Sequence, residues 1–266
     1  MSRPVTAPLK ANWSIVDGLP LFHRSGPVES GRPLVHVHGF GVSGSYLEPT
    51  AARLASRYPT FVPDLPGSGR SHRPARPLDI PGLARTVIAY LDAVGIERAS
   101  FVGNSLGCVV LVEVAAAWPD RVDRIVLVSP AGGVNNQPLP RALRQMVTDS
   151  VREPPSLWPV AAADYLRFGV TRSWRLFADM VAYPTLDRLE LLNAPTLVIG
   201  GDRDPLVDFG RASVFSGLPH VDVVRVHGAH ALNYSRPDVV SALIDAHLTG
   251  SSLADPDVDV IDVPGR

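Results

Sequence analysis

The pentapeptide Gly103-Asn104-Ser105-Leu106-Gly107 joins an apolar run, Ala99 to Val102, to a helix-like one, Cys108 to Ala117. No other stretch constrains the fold as tightly. A strand must turn into a helix with almost no chain between them, and small residues flanking the serine let the two backbones approach. A serine on such a turn sits on strained backbone with its hydroxyl exposed, the presentation a nucleophile needs. Taken alone, the pattern also fits an ordinary glycine-bounded turn.

The surrounding sequence repeats the same strand-then-helix rhythm. Short β-branched runs at Pro33 to Val37, Thr60 to Val62, Ala99 to Val102, Arg124 to Val128, Thr196 to Ile199 and Val221 to Val226 alternate with helix-like segments. That alternation predicts a mostly parallel sheet covered by helices. Before it, Trp13 to Val16 and Leu19 to His23 flank Asp17-Gly18, a hairpin turn signal, so the sheet starts antiparallel. Asp79 caps a predicted helix whose apolar residues Ile80, Leu83, Val87, Leu91 and Val94 fall at three- and four-residue spacing, with Gly95 near its end.

The rhythm breaks between Gly132 and Leu192. Prolines cluster there, and short helical stretches carry Trp158, Tyr165, Phe168, Trp174, Phe177 and Tyr183. The stretch begins where a strand has just ended, the sheet edge at which ligands bind in open α/β folds, so it is expected to form a lid. Trp158 and Trp174 are its candidate substrate contacts. The expected division is a core of residues 11–131 and 193–249, a helical cap of residues 132–192, and a loosely attached tail of residues 250–266.

Composition narrows the function. The 266 residues are 45% hydrophobic and 19% charged, enough chain to bury a substantial core. A net charge of −1 supplies no basic field for nucleic acid or an anionic membrane. Residues Met1 to Lys10 lack a signal-peptide apolar core, and no apolar run approaches the roughly 18 to 20 residues a bilayer requires. A cytoplasmic protein acting on a small molecule is expected. The single cysteine, Cys108, excludes an internal disulfide and a cysteine-based zinc site, and reads as a buried small side chain.

A serine hydroxyl needs a base to take its proton, usually a histidine held by a carboxylate. Beyond Thr196 to Ile199 lies Gly200-Gly201-Asp202-Arg203-Asp204-Pro205-Leu206-Val207, and beyond Val221 to Val226 lies His227-Gly228-Ala229-His230. Parallel strands deliver their C-terminal ends to one edge. Ser105, an aspartate near 204 and a histidine near 230 can therefore meet there. His36 and His38 form an H-x-H pair, but no third or fourth ligand of metal-site type follows nearby, and no metal is expected. Asp64 before Leu-Pro-Gly reads as a turn former.

These segments resemble the α/β-hydrolase superfamily of the Ser-His-Asp type, from about Trp13 to Leu248. His38-Gly39-Phe40-Gly41 resembles its oxyanion loop, Asp64 to Ser71 its turn after the fourth strand, and Gly103 to Gly107 its nucleophile elbow. Gly201 to Val207 resembles its acid loop, and Gly228 to Asn233 its histidine loop. The resemblance implies an α/β-hydrolase fold, a twisted sheet of about eight strands flanked by helices with a small helical cap. It implies Ser105 as nucleophile, Asp204 rather than Asp202 as acid, His230 rather than His227 as base, and the backbone N–H groups of Phe40 and Leu106 as the oxyanion hole.

The reaction so implied is hydrolysis of an ester-like bond through an acyl-enzyme, with no metal or organic cofactor. Serine at the elbow argues against the chemistries of superfamily members that carry aspartate there. Two alternatives accompany this reading, besides an acyltransferase or cofactor-independent perhydrolase that differs in which acceptor reaches the acyl-enzyme. Asn104 resembles carbon–carbon bond hydrolases acting on vinylogous diketones, although the loop at His38 lacks their usual Gly-Pro-Gly, and the fold also serves ligand-binding proteins with little turnover. The lid aromatics and the lack of a positive cluster among them point to a largely apolar, uncharged acyl or alcohol portion. Arg141, Arg144, Arg152, Arg167, Arg172 and Arg175 could anchor a carboxylate if any points inward.

Overall fold

The computed structural model describes residues 6–131, 136–207, 218, 220–253 and 258–261. Its sheet starts with the hairpin β1 (Lys10–Val16) and β2 (Leu19–Ser25), turned by Asp17 and Gly18 at φ of 49° and 79°. These left-handed angles match the twist of a tight two-residue hairpin. The parallel strands follow as β3 (Leu34–Val37), β4 (Thr60–Pro63), β5 (Ala99–Asn104), β6 (Val122–Val128), β7 (Thr196–Gly201) and β8 (Val221–Val226). A short β9 (Val258–Ile261), within the stretch 250–266 expected as a loosely attached tail, lies antiparallel to β8. The described residues thus form a nine-stranded sheet in the order β1-β2-β4-β3-β5-β6-β7-β8-β9.

Alternation along each strand builds a core on both faces of the sheet. Phe101, Ile125 and Leu127 belong to one apolar cluster, while their neighbours Val102, Val126 and Val128 belong to another. Helix α1 (Glu48–Leu54) follows β3, and α2 (Ile80–Ala93) packs against α3 (Leu106–Ala117) in the first cluster. The Asp79 side chain accepts from Gly82 N–H at 2.8 Å, the cap its position predicts. Helix α3 is buried almost all round, which explains its uninterrupted apolar sequence.

Between β6 and β7 stand α4 (Leu139–Arg152), α5 (Trp158–Phe168), α6 (Val170–Ala182) and α7 (Thr185–Leu189). The prolines that interrupt the sequence pattern here help begin these helices. Pro140 and Pro159 occupy first turns of α4 and α5, where a missing N–H costs nothing. Two further helices, α8 (Leu232–Ser235) and α9 (Pro237–Thr249), follow β8, and α9 packs on α1. No described helix is long and apolar enough to cross a membrane.

Candidate active site

Ser105 stands between β5 and α3 at φ 54° and ψ −115°, a conformation L-residues rarely adopt and one that costs about 1–3 kcal/mol. Neighbouring contacts hold it there. Ser105 N–H donates to Val128 O at 3.1 Å, and Cys108 N–H donates to Ser105 O at 3.0 Å. The flanking glycines are sterically required. A Cβ on Gly103 would lie 2.8 Å from Cys108 N, and one on Gly107 only 2.1 Å from Val37 O. Cys108 itself is buried, with its Sγ–H donating to Val128 O.

The loops after β7 and β8 bring two Asp–His pairs together. His230 Nδ1 lies 2.7 Å from Asp204 Oδ2, and the Asp204 side chain is fully buried. Asp204 Oδ1 accepts from Leu206 N–H at 2.8 Å, so the carboxylate is fixed at both oxygens. His230 Nε2 is buried and has no partner among the described residues. Asp202 instead meets His227 Nδ1 at 2.8 Å and accepts from Gly228 N–H at 3.0 Å, with the His227 side chain 61% exposed. One pair therefore faces the interior and the other faces solvent.

Ser105, His230 and Phe40 line one cavity of about 150 Å³, together with Gly39, Tyr46, Met146, Leu157, Trp158 and Tyr165. A volume of that order holds a benzene-sized group. The Phe40 ring packs edge-on against Tyr165 and Phe168 at centroid distances of 5.8 and 6.2 Å. Leu106 N–H opens helix α3 immediately after the serine. Trp158 lines the cavity while its Nε1–H donates to Ser150 O at 3.1 Å. Trp174 does not line it, and is 52% exposed. None of Arg141, Arg144, Arg152, Arg167 and Arg175 lines it either, and the Arg172 side chain lies outside the described ones.

His38 belongs to the loop's scaffold. Its Nδ1 lies 2.8 Å from Gly39 O and its Nε2 accepts from Leu65 N–H at 2.8 Å, a pattern that calls for a neutral ring protonated at Nδ1. Burial pushes its pKa down accordingly, and pushes that of buried His36 down to about 3. Among the described residues no group of three or more His, Cys, Asp or Glu side chains is placed to hold a metal. Asp64 is buried in its turn, accepting from Arg24, Gly44 N–H and Arg70 N–H at 2.9 to 3.0 Å.

The contacts made by Tyr46, Asn104, Asp149 and Glu153 escape a reading of the motifs alone. Tyr46 O–H donates to Asn104 Oδ1 at 2.5 Å and accepts from Gly39 N–H at 2.9 Å, tying the loop after β3 to the elbow. Asn104 Nδ2 donates to Val128 O and to His230 O, so the residue before the serine also holds the histidine loop. Asp149 and Glu153, on and just beyond α4, line the cavity as well. Glu153 Oε1 accepts from Ala231 N–H at 2.6 Å, and the backbone N–H of His230 favours the Asp149 carboxylate. Gln145 Nε2–H on α4 donates to Pro205 O at 2.8 Å, and Arg152 donates to Arg203 O at 2.7 Å. Helix α4 is thus docked on the acid loop and the histidine loop together.

These carboxyls set the electrostatics. Burial pushes Asp149 up to about 6 and Glu153 up to about 7. Desolvation pulls His230 down, but Asp204 outweighs it with help from Asp149 and Glu153, and the ring is raised to about 9.

The family model for alpha/beta hydrolases matches residues 34–243, a span that includes the elbow, the acid loop and the histidine loop. The chain belongs to the alpha/beta hydrolase family. Among its relatives is RutD of Azorhizobium caulinodans, a protein named for carbamate hydrolysis, 27% identical over 81% of this chain and 90% of that one. A poly(3-hydroxyalkanoate) depolymerase of Ectopseudomonas oleovorans is 25% identical over 80% of this chain and 82% of its own. The crystal structure of a membrane phospholipase A, described as a bacterial virulence factor, superposes with a TM-score of 0.80 at 25% identity, over 91% of this chain and 86% of that one. The alpha/beta hydrolase fold here is therefore shared with hydrolases named for several different bonds.

Proposed function

We propose that this alpha/beta hydrolase is a serine hydrolase cleaving an ester-like bond through Ser105, His230 and Asp204. The observation that carries the reading is the buried 2.7 Å contact of His230 Nδ1 with Asp204, with Nε2 unpartnered among the described residues and both His230 and Ser105 lining one cavity. His230 Nε2 takes the hydroxyl proton as Ser105 attacks the carbonyl. The Phe40 and Leu106 N–H groups hold the oxyanion. His230 then protonates the leaving group and activates the water that releases the acid, with Asp204 fixing the ring. Residues 132–192 serve as the cap over this pocket, and residues 11–131 with 193–249 as the core that carries the triad. The relative named as a polyester depolymerase supports an ester-like bond.

The test is a panel of 4-nitrophenyl esters read with native and Ser105→Ala protein, alongside labelling by a fluorophosphonate. Ester turnover should fall on the order of 10⁶-fold in the variant, and labelling should vanish with it. Near-normal turnover without Ser105 would sink the assignment. Rapid labelling of native protein that turns over no ester, thioester, lactone or vinylogous diketone would favour a ligand-binding role instead.

A further inference from the structure

The cavity beside Ser105 is mostly apolar, yet α4 and the residue just beyond it place two carboxyls in its wall four positions apart, Asp149 and Glu153. Both are more than nine-tenths buried, at 8% and 7% exposure. A backbone N–H engages each of them, from the His230–Ala231 pair. Asp149 Oδ1 and Glu153 Oε2 have no partner among the described residues. A desolvated carboxylate oxygen without a donor is costly, and two acids at this helical spacing repel each other.

The groups facing the pair do not balance it. Asp204 adds a third acid, Tyr46 and Tyr165 are neutral phenols held far above neutrality by burial, and His230 is already matched to Asp204. Arg152 acts on Asp149 from an exposed position and spends a donor on Arg203 O outside the cavity. No described Lys or Arg side chain lines the pocket.

We propose that Asp149 and Glu153 form a subsite for a protonated amine, so that the substrate carries an ammonium group on the part lying against α4. This rests on the cavity being the substrate pocket, as in the proposed function. An ammonium supplies positive charge and three donors for the two open oxygens. A neutral chain leaves both unpaired, and an anionic one adds to the repulsion. Bound there, the cation also offsets charge that holds the proton on His230, and so frees the base when the substrate is in place.

Binding measured by calorimetry in Ser105→Ala protein separates recognition from catalysis. The probes are hexylammonium, 1-hexanol and hexanoate. Near pH 8, hexylammonium should bind about tenfold more tightly than 1-hexanol, and hexanoate more weakly than either. The advantage should shrink towards parity near pH 5. Across that window the amine stays charged, and His230, held up at about 9, stays protonated, while the two carboxyls take up protons. It should also shrink in Asp149→Asn and Glu153→Gln backgrounds and disappear in the double variant. Equal affinities for hexylammonium and 1-hexanol near pH 8, an advantage unchanged at low pH, or one retained in a folded double variant would overturn the subsite. The pH series on Ser105→Ala decides the matter even if the double variant does not fold. Unchanged ester turnover in Ser105→Ala with the cation preference intact would instead refute the nucleophile and leave the subsite standing.

Discussion

Replacing Glu153 with glutamine should stabilise the empty protein above neutral pH and do almost nothing at low pH. The side chain is 7% exposed, with Oε1 held by Ala231 N–H and Oε2 unpartnered. Glutamine retains an oxygen for that N–H and removes the charge. Burial raises the glutamate from an ordinary 4.5 to about 7. At about 1.4 kcal/mol for each tenfold change, that displacement amounts to about 3 kcal/mol against the ionised form, of which local relaxation leaves about 1.5–3 kcal/mol. The sign follows from proton linkage. The unfolded chain loses this proton first, so stability falls as pH rises from 4.5 towards 7, and the full loss is present above 7. Glu153→Gln should therefore unfold at higher urea near pH 8, with a melting temperature raised by about 3–10 °C, and should coincide with the native protein near pH 4. No gain near pH 8, or an equal gain at both pH values, would show that burial does not disfavour the ionised Glu153 side chain.

Three further outcomes follow from the same geometry. Asp204→Asn should lower kcat on the order of 10⁴-fold, while Asp202→Asn, which touches the exposed pair with His227 and the Gly228 N–H contact, should leave it within about tenfold; the reverse order would move the acid to Asp202. Because His230 must be neutral to act as base and is held up at about 9, kcat/KM for neutral esters should rise with pH until about 9, and Glu153→Gln should move that limb to lower pH. A limb near 6.5 in the native enzyme would show that the acids around His230 do not act on it. Gly107→Ala puts a Cβ 2.1 Å from Val37 O and should cost upward of about 3 kcal/mol in urea unfolding, whereas a near-neutral effect would deny the close crossing at the elbow.

Much of the frame was legible because local chemistry and tertiary structure agree. Asp17-Gly18 adopts the left-handed angles its hairpin needs, Asp79 caps α2, and the β-branched runs become strands that extend into the loops they serve. The elbow reads from sequence because only glycine fits at Gly103 and Gly107, a backbone demand that leaves a mark on residue type. Asp149 and Glu153 leave no such mark. Acids on a helix rich in charge read as a solvated face, and only the docking of α4 on the loops at 203–206 and 230–231 buries them. Trp158 and Trp174 show the same limit from the other side: both are about half exposed, at 55% and 52%, yet only Trp158, at the start of α5, lines the cavity. Strand β9 was invisible because a four-residue run among scattered aspartates carries no clear period, and only pairing with β8 makes it a strand.

The proposed function requires that Ser105 become acylated. Rapid mixing with 4-nitrophenyl acetate, acid quench and peptide mass analysis tests it directly. A burst of one nitrophenolate per active site and an acetyl group on the peptide containing Ser105 are expected, both absent from Ser105→Ala. Hydrolysis that proceeds with no acetylated intermediate when deacylation is slowed, or an acetyl group on another residue that is competent to turn over, would contradict it.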